Sequence, residues 1–316
     1  MKTQISVSMC NGVGTSHLVT KKIFPNVKML HITFDIDKKA NEVSKFHNPD
    51  EIQLGDIRNW RKNKHLFKNG VLNFDAGTCC AHLSMAGDRE GFYAKNGTLV
   101  DSLKIYKKLV KEGVEMNLSI ICFWESVWFI QDIKPTYYFF EIPPMAPEFM
   151  NIFKKGIGPG HTMITLDAKK LSGMLRKRHY FVNYPYMGDP KDKGITIRDI
   201  IPNAKGAWSI HGTKNPKYGE EGEFKYGVSK VKIKEDKLYT ITTNGGHVIL
   251  DDDTIRKYTP EEAEQFMGFP VGYTNVGKIS KTKRLFLLGN SWSVDAVTHI
   301  KKSIRQTEYY KKYLKP

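Results

Sequence analysis

ISVSMCNGVGTSHLVTKKIFPNVKMLHITFDI, residues 5–36, sets the architecture expected of the whole chain. A β-rich run from Ile5 to Met9 passes through a turn holding Gly12 and Gly14 into a helical stretch, His17 to Ile23. A second β-rich run, Met29 to Phe34, then ends on Asp35. Strand, turn, helix and strand in this order make a βαβ unit, whose strands lie parallel. Glycines at the turn let the backbone approach a ligand closely, and an acid at the tip of the second strand is placed to hold a ribose diol. The turn lacks the third glycine of the pyrophosphate fingerprint, which favours a nucleoside cofactor without pyrophosphate.

The same rhythm continues beyond this unit. Further strands are expected at Val71 to Asp75, Thr136 to Glu141, Thr162 to Asp167 and His179 to Asn183, and helices at Lys38 to Phe46, Asp101 to Glu112, Ile121 to Asp132 and Pro147 to Lys154. Such alternation predicts an α/β fold, a doubly wound and mostly parallel sheet covered on both faces. A third strand end leads to GDIR, where Asp56 is positioned to accept from an adenine amino group, with Ile57 against the ring. From about Tyr184 to Asp253, Gly, Lys and Pro become dense and the helical period disappears, so a small loop-rich domain is expected there. After it, TPEEAEQFMGF opens a helix with Thr259 as cap and Pro260 at its first position, and SWSVDAVTHIKKSIRQ forms another.

Composition narrows the partners. With 49 Lys+Arg against 33 Asp+Glu in 316 residues, a formal charge of +16 favours a polyanion over an acidic protein surface, and nucleic acid leads. The four cysteines, at 10, 79, 80 and 122, have neither disulfide-framework nor zinc-site spacing, so no metal is expected. No signal peptide or membrane span is visible, and a cytoplasmic location is expected.

The segment after the Val71 strand, DAGTCCAHLSMAGDREGF, resembles the catalytic loop of the cytosine-C5 DNA methyltransferases, G-G-S/T-P-C-Q-x-x-S followed by A-G-x-R-x-G. In that register Cys80 stands at the nucleophile, and Ser84, Gly87, Arg89 and Gly91 on the rest of the loop. Downstream, SIICFWESVWFIQDIKPTYYFFE resembles the family's helix and strand ending at the acid of Glu-Asn-Val, here Glu141. LDAKKLSGMLRKRHYFVN resembles the stretch ending in Arg-x-Arg, here Arg176 and Arg178. IRKYTPEEAEQFMGFPVGYT and LFLLGNSWSVDAVTHI resemble the last two motifs, in a form especially like the animal de novo enzymes and their phage and bacterial relatives.

This resemblance implies a Rossmann-like, S-adenosylmethionine-dependent methyltransferase fold. Residues 1–184 would be the catalytic domain, 185–277 a small target-recognition domain, and 278–316 a segment returning to the catalytic domain. It implies DNA (cytosine-5-)-methyltransferase activity on a flipped base: Cys80 attacks carbon 6, Glu141 serves N3, Arg178 stabilises O2 and Arg176 steadies the catalytic loop. S-adenosylmethionine, leaving as S-adenosylhomocysteine, would be held by Cys10, Asn11, Gly12, Gly14, Asp35, Ile36, Asp56, Ile57, Gly77, Asn290, Ser291 and Trp292. Ser84, Arg89, Lys230, Thr242, Thr243 and Arg256 would meet double-stranded DNA, with Asn244-Gly245-Gly246 forming a turn.

Two departures touch the nucleophile's support: the family's proline before it is Cys79 here, and Asn-Val after the motif glutamate is Ile142-Pro143. They motivate an alternative, a DNA-binding homologue impaired in catalysis. A tRNA cytosine-C5 methyltransferase and transfer of a group other than methyl are two more. The remaining expectations are a monomer or homodimer, a bacterial or phage-infected cell, and a companion endonuclease in a restriction-modification setting.

Overall fold

Runs rich in β-branched and aromatic residues form the strands, and their burial on both faces is what a parallel sheet covered by helices requires. The computed structural model describes residues 3–78, 83, 90–208, 225–226, 229–230 and 236–314, with backbone alone for 208, 225–226 and 229–230. Cys79, Cys80, Ser84, Gly87 and Arg89 lie outside the described residues. The chain divides into two units, one of residues 1–166, 177–187 and 300–316, the other of 167–176 and 188–299.

The first unit runs β1 (Gln4–Met9), α1 (Thr15–Ile23), β2 (Met29–Phe34), α2 (Lys38–His47), β3 (Ile52–Gln53), two 3₁₀ turns (Ile57–Arg61 and Lys64–Phe67), β4 (Asn73–Gly77), α3 (Leu103–Lys111), α4 (Leu118–Ile133), β5 (Tyr137–Ile142), α5 (Pro147–Ile157), β6 (Thr162–Asp167) and β7 (Lys177–Val182). These strands form one seven-stranded sheet in the order β3-β2-β1-β4-β5-β7-β6. Pairs β1–β2, β1–β4, β2–β3 and β4–β5 are parallel, and β7 runs antiparallel to β5. This is the doubly wound α/β architecture. Its strand order reverses between β1 and β4, the switch point outside whose carboxyl ends such sheets bind ligands.

Helix α4, LSIICFWESVWFIQDI, is apolar almost all round and buried accordingly. Its Phe123 and Phe129 join Phe74, Phe140 and Phe153 in an aromatic core of tilted, stacked and edge-to-face rings. Each buried ring stabilises the fold by about 1.5–3 kcal/mol relative to exposure. The fourth strand lies two residues later than expected, because its ladder with β5 extends to Gly77, which pairs with Glu141.

The second unit holds a three-stranded antiparallel sheet of β8 (Ala204–Trp208), β11 (His247–Leu250) and β12 (Ile255–Lys257), and a short hairpin of β9 (Lys225–Tyr226) and β10 (Ser229–Lys230). Helices α6 (Pro260–Met267) and α7 (Lys281–Asn290) follow, and then α8 (Val294–Lys302), whose last residues belong to the first unit; α9 (Glu308–Tyr313) closes the chain there. The expected cap is complete: Thr259 and Glu262 form a reciprocal capping box on α6. Buried Glu264 accepts from Thr274 and from Arg284, joining α6 to α7. Among the described residues no helix is long and apolar enough to cross a membrane.

Two histidines give the first unit a pH dependence. His17 on α1 and His31 on β2 stack edge to face with ring centroids 4.4 Å apart. Burial, then the charges of Lys21 and His47, lowers His17 to about 4; burial, then His17 and Lys301, lowers His31 to about 3. Both are native in the neutral form. Stability is therefore full above the unfolded value near 6.5, and falls below it as the unfolded chain takes up protons the folded one refuses. For buried His31 the slope approaches about 1.4 kcal/mol per pH unit. Melting temperature is expected to decline steadily from pH 6.5 toward pH 4, and a His17→Gln/His31→Gln variant to melt with a shallower decline over that window.

Candidate active site

The carboxyl ends of β1 and β2 make the first half of the site. Asn11 and Gly12 follow β1, and the Gly12 N–H donates to Asp35 Oδ2 at 2.8 Å, while the Asp37 N–H donates to Oδ1 at 2.9 Å. Burial pushes the Asp35 carboxyl up, and these amides oppose it. Gly12 has φ +56°, and a Cβ there would meet nothing within 4 Å, so a side chain would project into open space in front of the turn. Beside Asp35, the Ile36 side chain is 60% exposed. Asn11 is fixed by its Nδ2 donating to Ser44, while its buried Oδ1 has no partner among the described residues. A carboxylate with spare lone pairs, an exposed apolar side chain and an open glycine turn suit an adenosine: diol on Asp35, ring on Ile36.

The other predicted cofactor residues differ in their surroundings. Gly14, at φ +86°, is the N-cap of α1. Cys10, with φ +55°, faces Cys122 of α4 with its sulfurs 2.9 Å apart. Asp56 sits after β3 as expected, but Arg58 engages both its oxygens and holds its carboxyl below the usual range. Ile57 is buried in the aromatic core. In the second unit Asn290 is exposed, Ser291 caps the end of α7, and Trp292 is buried.

The second half of the first unit's site lies at β4, β5 and β7. Gly77, three residues before Cys80 in sequence, pairs with Glu141, and Glu141 is opposite Tyr180 on β7. Arg178, at the start of β7, places its Nε 3.0 Å from Glu141 Oε1, with the two side chains only 16% and 8% exposed. Its Nη1 donates to the Lys177 carbonyl. Gly91, from the same predicted loop motif, has φ +61°, and a Cβ there would stand 1.9 Å from the Phe149 ring, so only glycine fits.

Arg176 and Arg178 are two residues apart but serve different units. Arg176 belongs to the second unit and is buried, donating to the carbonyls of Ile241, Gly289 and Ser291 at 3.2, 3.2 and 2.6 Å. It ties the stretch before Thr242 to the end of α7. The Thr242–Gly245 turn is present, closed by the Gly245 N–H to the Thr242 carbonyl. Thr242 is exposed and Thr243 half-buried. Arg256 forms a bidentate pair with Glu262, and the backbone of Lys230 lies on β10. Sequence reasoning missed the buried pair of Lys301 on α8 with Asp75 on β4. Spacing carried the signal: Lys301 falls on the apolar stripe Val294, Val297, Ile304.

Comparison with known proteins meets this geometry. Residues 167–306 match the model of the C-5 cytosine-specific DNA methylase family. A curated relative, the DNA (cytosine-5)-methyltransferase DRM2 of Arabidopsis thaliana, is 27% identical over 161 residues; the match takes in 42% of this chain and 24% of that protein, about a quarter of its length. Among solved structures, the Entamoeba histolytica methyltransferase EhMeth aligns over 97% of this chain and 99% of its own, with TM-score 0.61 and 15% identity. A Spodoptera frugiperda DNMT2 mutant aligns over 95% and 99% (TM-score 0.60, 14% identity), and the S. pombe Dnmt2 methyltransferase over 96% and 98% (0.61, 13%). At such identities the structures speak for the fold, and the family match speaks for the sequence. By this match, residues 167–306 carry a C-5 cytosine-specific DNA methylase domain, and the chain is a homologue of the cytosine-5 methyltransferase DRM2 over part of its length.

Proposed function

We propose that the protein methylates carbon 5 of cytosine in double-stranded DNA, with Cys80 as nucleophile, and the observation that carries this reading is the Glu141–Arg178 pair, with Glu141 paired to Gly77, three residues before Cys80 in sequence. S-adenosylmethionine supplies the methyl group; Gly12, Asp35 and Ile36 are the residues suited to hold its adenosine. Cytosine carbon 5 is a poor nucleophile until a thiolate adds to carbon 6. The Cys80 thiolate forms that bond, and electron density moves toward N3 and O2. Glu141 shares a proton at N3, and the Arg178 guanidinium stabilises charge at O2. Once carbon 5 carries the methyl group, its proton passes to water as base, and the electron pair of the C5–H bond expels the Cys80 sulfur as thiolate and restores the ring. The target must leave the base stack to be reached.

Domain roles follow the same reading: residues 1–184 bind cofactor and base, 185–277 read the target, with Ser84, Arg89, Lys230, Thr242, Thr243 and Arg256 toward the DNA, and of the segment 278–316 the residues 300–316, which belong to the first unit, complete the first domain. The experiment is incubation with S-adenosylmethionine and either mixed-sequence duplex DNA or tRNA, followed by nucleoside mass spectrometry. Methylcytosine in the DNA alone is expected; modification confined to tRNA would replace the substrate, and a product of different mass would replace the transferred group. Duplexes containing 5-fluorocytosine are expected to trap a covalent adduct, mapped by mass to Cys80. An adduct on Cys79 would overturn the nucleophile.

A further inference from the structure

A cationic surface in the first unit borders the predicted cofactor residue Asp56 through Arg58 and extends well beyond it. Lys104, Lys107, Lys108 and Lys111 recur at the spacing i, i+3, i+4, i+7, and all four are exposed, so they form one stripe along α3, opposite its buried Tyr106 and Leu109. The turn Ile57–Arg61 and the residues after it add Arg58, Arg61, Lys62 and Lys64. Trp128 of α4 joins the two: Lys107 Nζ lies 4.3 Å from its ring centroid and Arg61 Cζ 5.2 Å from it. Trp128 also meets Trp60 edge to face, and Lys64 Nζ stands over Trp60. Cations held on rings give up less freedom on meeting an anion than freely rotating side chains do.

The charge is only half answered. Asp56, Glu112, Glu125 and Asp132 pair with Arg58, Lys108, Arg61 and Lys64. Lys62, Lys104, Lys107 and Lys111 have no carboxylate within ion-pair distance among the described residues. Beside them an open concavity of about 540 Å³ is lined by Asp56, Arg58, Asn59, Arg61 and Lys62.

We propose that this surface is a second nucleic-acid contact, which grips the phosphate backbone of duplex DNA outside the target base. The seven helical rises from Lys104 to Lys111 span about 10 Å. That approaches the width of the B-form major groove, about 12 Å, so the ends of the stripe meet phosphates on both of its walls. A-form RNA, whose major groove is narrow and deep, does not offer that spacing. The choice of DNA rests on the proposed function, whereas the phosphate chemistry rests on the surface itself.

The test is binding rather than turnover, so a protein without methyltransferase activity leaves it intact. Fluorescence anisotropy of the full chain with a long labelled duplex is compared with that of Lys62→Gln/Lys104→Gln/Lys107→Gln/Lys111→Gln, over a range of salt. The slope of log affinity against log salt is expected to fall by about one for each phosphate that the variant no longer neutralises, up to about four. Affinity at low salt is expected to fall at least about tenfold. Exposed lysines leave the melting temperature unchanged, which separates the effect from unfolding. An unchanged slope would overturn the surface, and an equal weakening toward an RNA duplex of the same length would overturn its assignment to DNA.

Discussion

Glu141→Gln is expected to slow cytosine methylation by about 10²–10⁴-fold in kcat, the range for removal of a positioned general acid. The substitution keeps side-chain volume and a hydrogen-bonding end, so the β4–β5 ladder that pairs Gly77 with residue 141 is undisturbed. What it removes is the charge facing Arg178 Nε at 3.0 Å and the ability to share a proton with N3. Cofactor affinity should be nearly unaffected, because Gly12 and Asp35 lie after β1 and β2, not on β5. A fall in kcat with little change in the KM for S-adenosylmethionine is the pattern of an interaction made in the transition state. Glu141→Asp retains the acid but draws it back from Arg178, and an intermediate rate is expected. Wild-type kcat in Glu141→Gln would remove Glu141 from the chemistry while leaving the fold untouched.

The parts of the molecule legible in the sequence are those set by local pattern. The β1–turn–α1–β2 unit, α2, α4, β5 and the Thr259 cap follow from hydrophobic period, turn residues and capping chemistry acting over a few positions. Glu141 and Arg178 emerged only from the order of motifs, since a single acid at a strand end is as often a cap. Their meeting depends on β7 inserting antiparallel beside β5, a topological fact that no local window contains. Arg176 shows the same limit: its acceptors lie 65, 113 and 115 residues away, and nothing near RKR announces them. Asp56 was legible as an acid after β3, but its engagement by Arg58 depends on the 3₁₀ turn that brings the guanidinium back. Ile57 likewise turns into the core because that turn rotates it inward.

Lys301→Met is expected to destabilise the protein by about 3–5 kcal/mol, a large share of the roughly 5–15 kcal/mol typical of whole domains. Lys301 and Asp75 are fully buried, and the ammonium donates to Asp75 Oδ1 and Oδ2 at 2.6 and 2.7 Å and to Asn73 Oδ1 at 2.8 Å. Burial lowers the lysine from its ordinary value, and Asp75 opposes this. Ser16 of α1 and the Asn73 amide also donate to Asp75, so one carboxylate links the first helix, β4 and the last stretch of the chain. Removing the cation leaves that carboxylate charged and without its counter-ion in a site of low dielectric, where the penalty far exceeds that of breaking a surface pair. Adding Asp75→Asn should restore most of the stability, because the neutral amide keeps a carbonyl for Ser16 and no longer needs a cation. Chemical denaturation of the two single variants and the double gives the coupling directly. Equal, additive decreases would show that the pair stabilises by packing alone, whereas recovery in the double would show that the cost lies in an isolated charge. The same carboxylate stands two residues before Gly77, so the double variant should also bind S-adenosylhomocysteine like the wild type if the strand keeps its register, and bind it more weakly if the charge itself holds β4 against α1.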